Sequence, residues 1–240
     1  MGAMNGDGAR VRWTLVVPLK PLARAKSRLS DTAPDAVRPR LVLAFAQDTV
    51  AAAGASPAVR DVVVVTDDPL AGRELAGLGA RIVPDAPRRA PDRARDRTPD
   101  DGLNAALTHG VATVRLGRPD AAVAALNADL PALRTEELTR VLEQAARFPR
   151  AFLADAAGIG TTLLTALSGR ELLPLFGNAS RMRHRGSGAA EIMLPGIDSV
   201  RQDVDTGADL RTALSLGVGP HTQKAATLLP HPGHPPRSHP

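Results

Sequence analysis

Hydrophobic and polar positions divide the chain into alternating strand-like and helix-like blocks. Val11–Val17 (VRWTLVV) is apolar and β-branched, ends at Pro18, and reads as a buried strand. The next stretch, PLKPLARAKSRL over 18–29, carries two prolines and no periodicity, so it reads as a loop. Helical spacing follows over 39–54, with Leu41, Phe45 and Val50 among its apolar positions. Val62–Thr66 predicts a second buried strand before the acidic turn Asp67-Asp68-Pro69. A short helix through Leu78 ends at Gly79, and 80–83 predicts a third strand. Residues 84–101 (PDAPRRAPDRARDRTPDD) form a long charged loop without periodicity, the kind that is functional or disordered. A helix over 102–116, a central strand over 121–126 and a helix over 135–148 come next, the last with a threonine cap and acids in its first turn.

This alternation predicts an α/β fold with a mostly parallel, doubly wound sheet. The second half is less regular. Short runs at 151–153, 161–165 and 199–202 read as strands, and Thr206–Leu216 as a helix whose Thr206 and Asp209 are spaced as a capping box. At 240 residues and 43% hydrophobic, one sizeable domain is expected, spanning 11–220 after a flexible N-terminus at 1–10. After Gly219 the chain reads HTQKAATLLPHPGHPPRSHP, with four of the six histidines, and is expected to be a disordered Pro/His-rich tail over 221–240. A metal-binding tail is the alternative.

Charge and composition narrow the chemistry. A net charge of +5 attracts anions, but the basic residues are spread along the chain beside acids, and aromatics are 2%. With no stacking platform, nucleic acid is not the expected partner. Cysteine is absent, which rules out disulfides and thiolate chemistry and fits a cytoplasmic setting. No apolar run approaches ~18 residues, so no membrane span is expected. Only three of the 30 basic residues are lysines, and two of them, Lys20 and Lys26, fall in the loop after the first strand. A compact charge on a flexible stem suits a phosphate.

Ligands in open α/β sheets bind beyond the carboxyl ends of the strands. Three such ends are polar here: Lys20, Arg24, Lys26 and Arg28; Asn127-Ala128-Asp129; and Asp203-Val204-Asp205. Alternate carboxylates in an extended Asp-x-Asp share one side, and with Asp129 they suit magnesium, which takes carboxylates plus substrate phosphate oxygens. Cations facing such acids make a site for phosphoryl chemistry. The alternatives are a turn at Asp129 before Pro131 and a helix entry at Asp205. The lysine-bearing loop matches neither a dinucleotide-binding nor a Walker pattern.

The ordered motifs VPLKPLARAKSRL, DDGLNAAL, LNADLPAL, GIGTTLL, LFGNASRMRHRGSGA, RQDVDTGADL and LGVGP resemble the guanylyltransferases of coenzyme F-420 biosynthesis, known as CofC and FbiD, over about 15–219. The resemblance implies a nucleotidyltransferase fold similar to sugar-nucleotide and molybdopterin guanylyltransferases, a single-domain three-layer sandwich. It implies condensation of GTP with a phosphorylated three-carbon acid, phosphoenolpyruvate or 2-phospho-L-lactate, with release of pyrophosphate. By motif, Asp129, Asp203 and Asp205 would bind Mg2+, with Asp129 and Lys26 catalytic. Thr161, Gly177 and Ser180 would contact phosphoenolpyruvate, with Arg181, Arg183 and Arg185 nearby or simply forming a solvated helix face. Lys20, Lys26 and Arg28 would hold the triphosphate. Asn104 would read the guanine edge or serve as a structural asparagine at a helix start. Two departures stand out: Ala128 replaces a glycine common among relatives, and the paired Thr161-Thr162 leaves the substrate threonine open by one position. The product would pass to a downstream transferase. Rival readings are another phosphorylated acceptor, a basic nucleic-acid-binding module, or an inactive scaffold.

Overall fold

The computed structural model describes residues 10–24, 26–85 and 99–229. Seven strands form one sheet: β1 (Trp13–Pro18), β2 (Val59–Val65), β3 (Arg81–Val83), β4 (Val123–Leu126), β5 (Arg150–Ala154), β6 (Thr161–Ala166) and β7 (Ala190–Glu191). Their order is β3-β2-β1-β4-β6-β5-β7. β1 pairs parallel with β2 and β4, β2 with β3, and β5 with β7; β6 runs antiparallel to both β4 and β5. The expected mostly parallel mixed sheet is therefore present. The chain walks outward from β1 to β3 and then returns to the other side of β1. That reversal between β1 and β4 opens a crevice at their carboxyl ends.

Eight α-helices accompany the sheet among the described residues: α1 (Arg38–Gly54), α2 (Pro69–Ala76), α3 (Pro99–Gly117), α4 (Thr135–Ala145), α5 (Ser180–Gly186), α6 (Asp198–Arg201), α7 (Gly207–Leu216) and α8 (Pro220–Ala226). Strand alternation sends Trp13, Leu15 and Val17 into one core with Val42, Ala46 and Val50 of α1 and Leu138 and Leu142 of α4. Val16, Val63, Val65 and Val123 face the other way, onto Leu107, Val111 and Val114 of α3. The valine run of β2 is continuous because both of its faces are covered. α3 crosses the sheet at Gly110, where a Cβ would come within 2.7 Å of Val16 and Val65. A third core joins Leu29, Leu41, Phe45, Val204, Leu210 and Ala225, tying α1 to α7 and α8.

Several sequence expectations are corrected. Residues 198–201 form the helix α6, not a strand. α4 is entered through Arg134, without a side-chain cap; Thr135 instead donates to Ala52 O at 2.9 Å, a tertiary use of the hydroxyl that local spacing does not reveal. The capping box of Thr206 and Asp209 is present. The chain expected to trail off after Gly219 forms α8, with Thr222 and Ala225 buried. A small apolar stripe of Thr and Ala suffices there because α1 supplies the surface it packs on. The expectations for 1–9, for most of the charged loop and for residues beyond 229 fall outside the described residues.

Candidate active site

The crevice after β1 and β4 gathers the charged residues singled out from the sequence. Lys26 follows β1 in a left-handed conformation, φ 57°, that a non-glycine residue holds only where its surroundings enforce it. Its ammonium donates to both Asp129 after β4 and Asp205 before α7. Burial opposes that charge, yet the two carboxylates hold it above the ordinary lysine range. Val204 N donates to Asp129 O at 3.0 Å, laying the 203–205 run alongside residue 129. Val204 points into the third core, so its neighbours Asp203 and Asp205 are turned the opposite way. Burial, then the charges of Asp129 and Asp205, push the Asp203 carboxyl up to about 8 against the pull of Lys26. Asp155, after β5, adds to that negative field.

Two residues of α1 that carried no sequence signal brace this crevice. The Thr49 hydroxyl donates to Phe45 O at 2.8 Å and accepts from Leu130 N at 3.1 Å, holding the loop that presents Asp129. Beside it the buried Asp48 carboxylate accepts from His221 N (3.1 Å) and Thr222 N (2.7 Å), capping α8 from another helix. Gly219 N then donates to Pro131 O at 2.9 Å, so the C-terminal helix is pinned to the Asp129 loop.

The β6–α5 side of the crevice is built differently. β6 starts with a bulge: Leu153 pairs with Leu163 and Ala154 with Thr161, leaving Thr162 as the extra residue. Thr162 O accepts from Asn127 N at 3.0 Å, next to the Asp129 loop. Its hydroxyl is buried with no partner. The Thr161 hydroxyl lies 2.9 Å from His184 Nδ1. Upstream, the Asp155 carboxylate accepts from Ile159 N (2.9 Å) and Gly160 N (2.8 Å), shaping the turn into β6. Gly177 (φ 107°) and Ala179 (φ 54°) fold the segment before α5, and Ser180 N returns to Gly177 O at 3.1 Å.

The predicted residues thus separate into those brought together and those not. Asp129, Asp203, Asp205 and Lys26 converge; Lys20 and Arg28 are exposed on the same loop. Thr161, Gly177 and Ser180 sit on the facing side. Asn104 has the structural part that was its alternative: its amide donates to Phe176 O at 3.1 Å and accepts from Phe176 N at 2.8 Å, clamping the backbone before Gly177. The arginines of α5 are also engaged. Arg181 and Arg185 pair with Glu191, whose carboxyl lies below its usual range because those guanidinium hydrogen bonds and charges outweigh its burial; Arg183 donates to Phe176 O at 2.9 Å. His184, Asp155, Asp48 and Thr49 were missed. For His184 a signal existed: Ser180 and His184 are four apart, one helical face, and both are buried.

Chemically, the acid cluster offers oxygen donors only, the preference of magnesium, and Asp129 Oδ1 is buried without a partner. With the Lys26 ammonium between Asp129 and Asp205, no three acids among the described residues are grouped to hold a metal ion. The oxygen donors are of the kind that ion prefers, and the Lys26 ammonium lies among them. An ammonium and carboxylates at a crevice mouth can bind a polyphosphate and balance charge that moves between phosphate oxygens.

Known proteins identify the family and the fold. The model of the "Guanylyl transferase CofC like" family matches residues 13–225. A phosphoenolpyruvate guanylyltransferase of Streptomyces avermitilis is 69% identical over 93% of this chain and 98% of its own length. One of Thermomonospora curvata is 50% identical over 96% and 95%. Among solved structures, a putative nucleotide-diphospho-sugar transferase from Desulfovibrio desulfuricans matches with a TM-score of 0.55 at 14% identity, covering 86% of this chain and 96% of that one. A 4-diphosphocytidyl-2C-methyl-D-erythritol synthase matches with 0.54 at 15% identity, covering 85% and 99%. These two show the fold. No helix among the described residues is long and apolar enough to cross a membrane. The chain is an enzyme of nucleotidyl transfer and belongs to the CofC-like guanylyltransferase family.

Proposed function

We propose that this chain condenses GTP with phosphoenolpyruvate, giving a guanosine diphospho-acid and pyrophosphate, as a step of coenzyme F-420 biosynthesis. The observation that carries the reading is Lys26 set among Asp129, Asp203 and Asp205 at the β1/β4 reversal. That the relatives are named phosphoenolpyruvate guanylyltransferases supports phosphoenolpyruvate as the acceptor. The cysteine-free composition supports a cytoplasmic setting.

A phosphate oxygen of the acid attacks the α-phosphorus of GTP in line. A new P–O bond forms as the bond from the α-phosphorus to the bridging oxygen breaks, and its electron pair leaves with pyrophosphate. The attacking phosphate is already ionised near neutral pH, so no side chain has to take a proton from it. Catalysis is positioning and charge balance. Lys20, Lys26 and Arg28 hold the triphosphate, and Lys26 faces the charge that builds on the leaving group. Asp129, with Asp203 and Asp205, would hold magnesium, which when bound neutralises phosphate charge and aligns the two oxygens. Thr161, Thr162, Gly177 and Ser180 receive the acid: hydroxyls and a glycine backbone N–H suit carboxylate and phosphate oxygens. The unpaired Thr162 hydroxyl supports extending the substrate threonine to both positions.

The test is pyrophosphate release from each of four nucleoside triphosphates, with magnesium, paired in turn with phosphoenolpyruvate, 2-phospho-L-lactate and phosphoglycerate. Release is expected with GTP and phosphoenolpyruvate, the product being trapped by the downstream transferase. Release with a different base or acid reassigns that substrate; steep salt-sensitive binding to DNA without release would favour the nucleic-acid module instead.

A further inference from the structure

We propose that His184 is a positioning residue for the acid-binding pocket, orienting the Thr161 hydroxyl as a donor to the acid's anionic oxygens and fixing the arm that carries Gly177. The proposal rests on the reading of Thr161 and Gly177 as acid contacts.

The hydrogen bonds set the direction of each proton. Leu175 N, which can only donate, lies 3.0 Å from His184 Nε2, so that nitrogen is the acceptor. Nδ1 therefore carries the ring proton and donates across 2.9 Å to Thr161 Oγ1. A hydroxyl has one proton. Thr161 accepts from the imidazole, and its own O–H makes no other hydrogen bond among the described residues, so that proton is left to be donated. The bulge at Thr162 is what puts Thr161 on the same side of the sheet as the imidazole rather than on the α1 side.

The ring cannot turn. His184 is fully buried, 5.8 Å from the Phe152 ring and 5.0 Å from Phe176, the latter edge-on. Burial, then the charges of Arg150 and Arg183, lower its pKa to about 4, which keeps Nε2 free to accept near neutrality. The same imidazole holds Leu175 as Asn104 clamps Phe176, so one arm reaches Gly177 already fixed. A histidine kept only to fill the core would not need both nitrogens bonded, one to β6 and one to the arm that carries Gly177.

Two truncations separate the nitrogens. Asn at 184 places an amide N–H where Nδ1–H was; Gln places an amide oxygen near Nε2. His184→Gln is expected to raise the KM for the acid about tenfold, the scale of a lost hydrogen bond to an anion, with the GTP KM unchanged. His184→Asn should retain the acid KM better than His184→Gln. Thr161→Val should match His184→Gln, Thr161→Ser should restore the acid KM, and His184→Gln should add nothing in the Thr161→Val background. Additive losses, or an active His184→Gln with an unaltered acid KM, overturn the proposal. Should the His184 variants not fold, side-chain 15N NMR of the wild-type protein decides: an Nδ1–H tautomer is expected, and an Nε2–H tautomer overturns it. That measurement needs no substrate, so absence of turnover with every acid would sink the proposed function while leaving the proton assignment to be judged alone.

Discussion

On the β1/β4 side of the crevice, the Lys26 ammonium is paired with Asp129 and Asp205, and burial beside those charges pushes the Asp203 carboxyl up to about 8. On the β6/α5 side, by contrast, the threonines, His184 and Asn104 are uncharged and almost all committed to partners of fixed direction. The charged residues there are spent locally, Asp155 and Arg183 on backbone groups and Arg181 and Arg185 on Glu191. The first side is arranged to be rearranged. A polyphosphate and a divalent cation arrive there with large charges, and a set of ion pairs can exchange partners at modest cost. The second side is arranged to stay put, since a small acid is told from its analogues by where donors already point. Substitutions on the charged side should therefore act on turnover and pH response, and those on the neutral side on affinity for the acid and on rigidity.

The largest expected break in this contrast is Asp129→Ala. Loss of a metal-holding carboxylate should cut kcat by on the order of 10²–10⁴ in pyrophosphate release, while circular dichroism shows the fold retained. Undiminished release would remove Asp129 from the chemistry. Lys26→Ala should raise the GTP KM about tenfold and the acid KM much less; equal effects would erase the division of labour between the two sides. Asn104→Ala leaves the buried Phe176 N without a partner and Phe176 O to Arg183 alone, a loss of about 2 kcal/mol that lowers the unfolding midpoint by roughly 4–8 °C. It should weaken the acid and spare the preference for guanine, whereas a base-reading Asn104 would lose the preference instead. The smallest effect concerns Asp203, whose folded pKa of about 8 lies above its ordinary 3.8. The folded chain keeps a proton that the unfolded chain gives up, so this contribution to stability is full below 3.8 and lost as pH rises through 8. Asp203→Asn should flatten that decline, raising the midpoint of metal-free protein by on the order of 2–4 °C at about pH 9 and leaving it unchanged near pH 4.

The sequence disclosed the two sides unequally, for the same reason. Charged residues at strand ends are rare enough to stand out, so Lys26, Asp129, Asp203 and Asp205 were legible with their sheet. The blocks of valine and the helical spacing of α1 likewise announced β2 and its covering layer, because both follow from period alone. The neutral side depends on contacts between distant segments. Asn104 meets Phe176 across 72 positions, and nothing local to either predicts it. His184 was hidden among three arginines, and the bulge at Thr162 is a register event visible only once β5 and β6 are paired. α6 was misread because four residues are too few to show a period.

The cap that Asp48 provides to α8 makes the assembly of the crevice wait on a contact between segments far apart in the chain. His221 and Thr222 reach back across 173 and 174 positions to α1, and Gly219 fastens to the loop that presents Asp129. Closing so long a loop is slow, and until α8 is made the Asp48 side chain of α1 lacks the two backbone donors it faces in the folded chain. A nascent chain halted at Gly219 would have every residue of the catalytic crevice and still lack the clasp that steadies one wall of it.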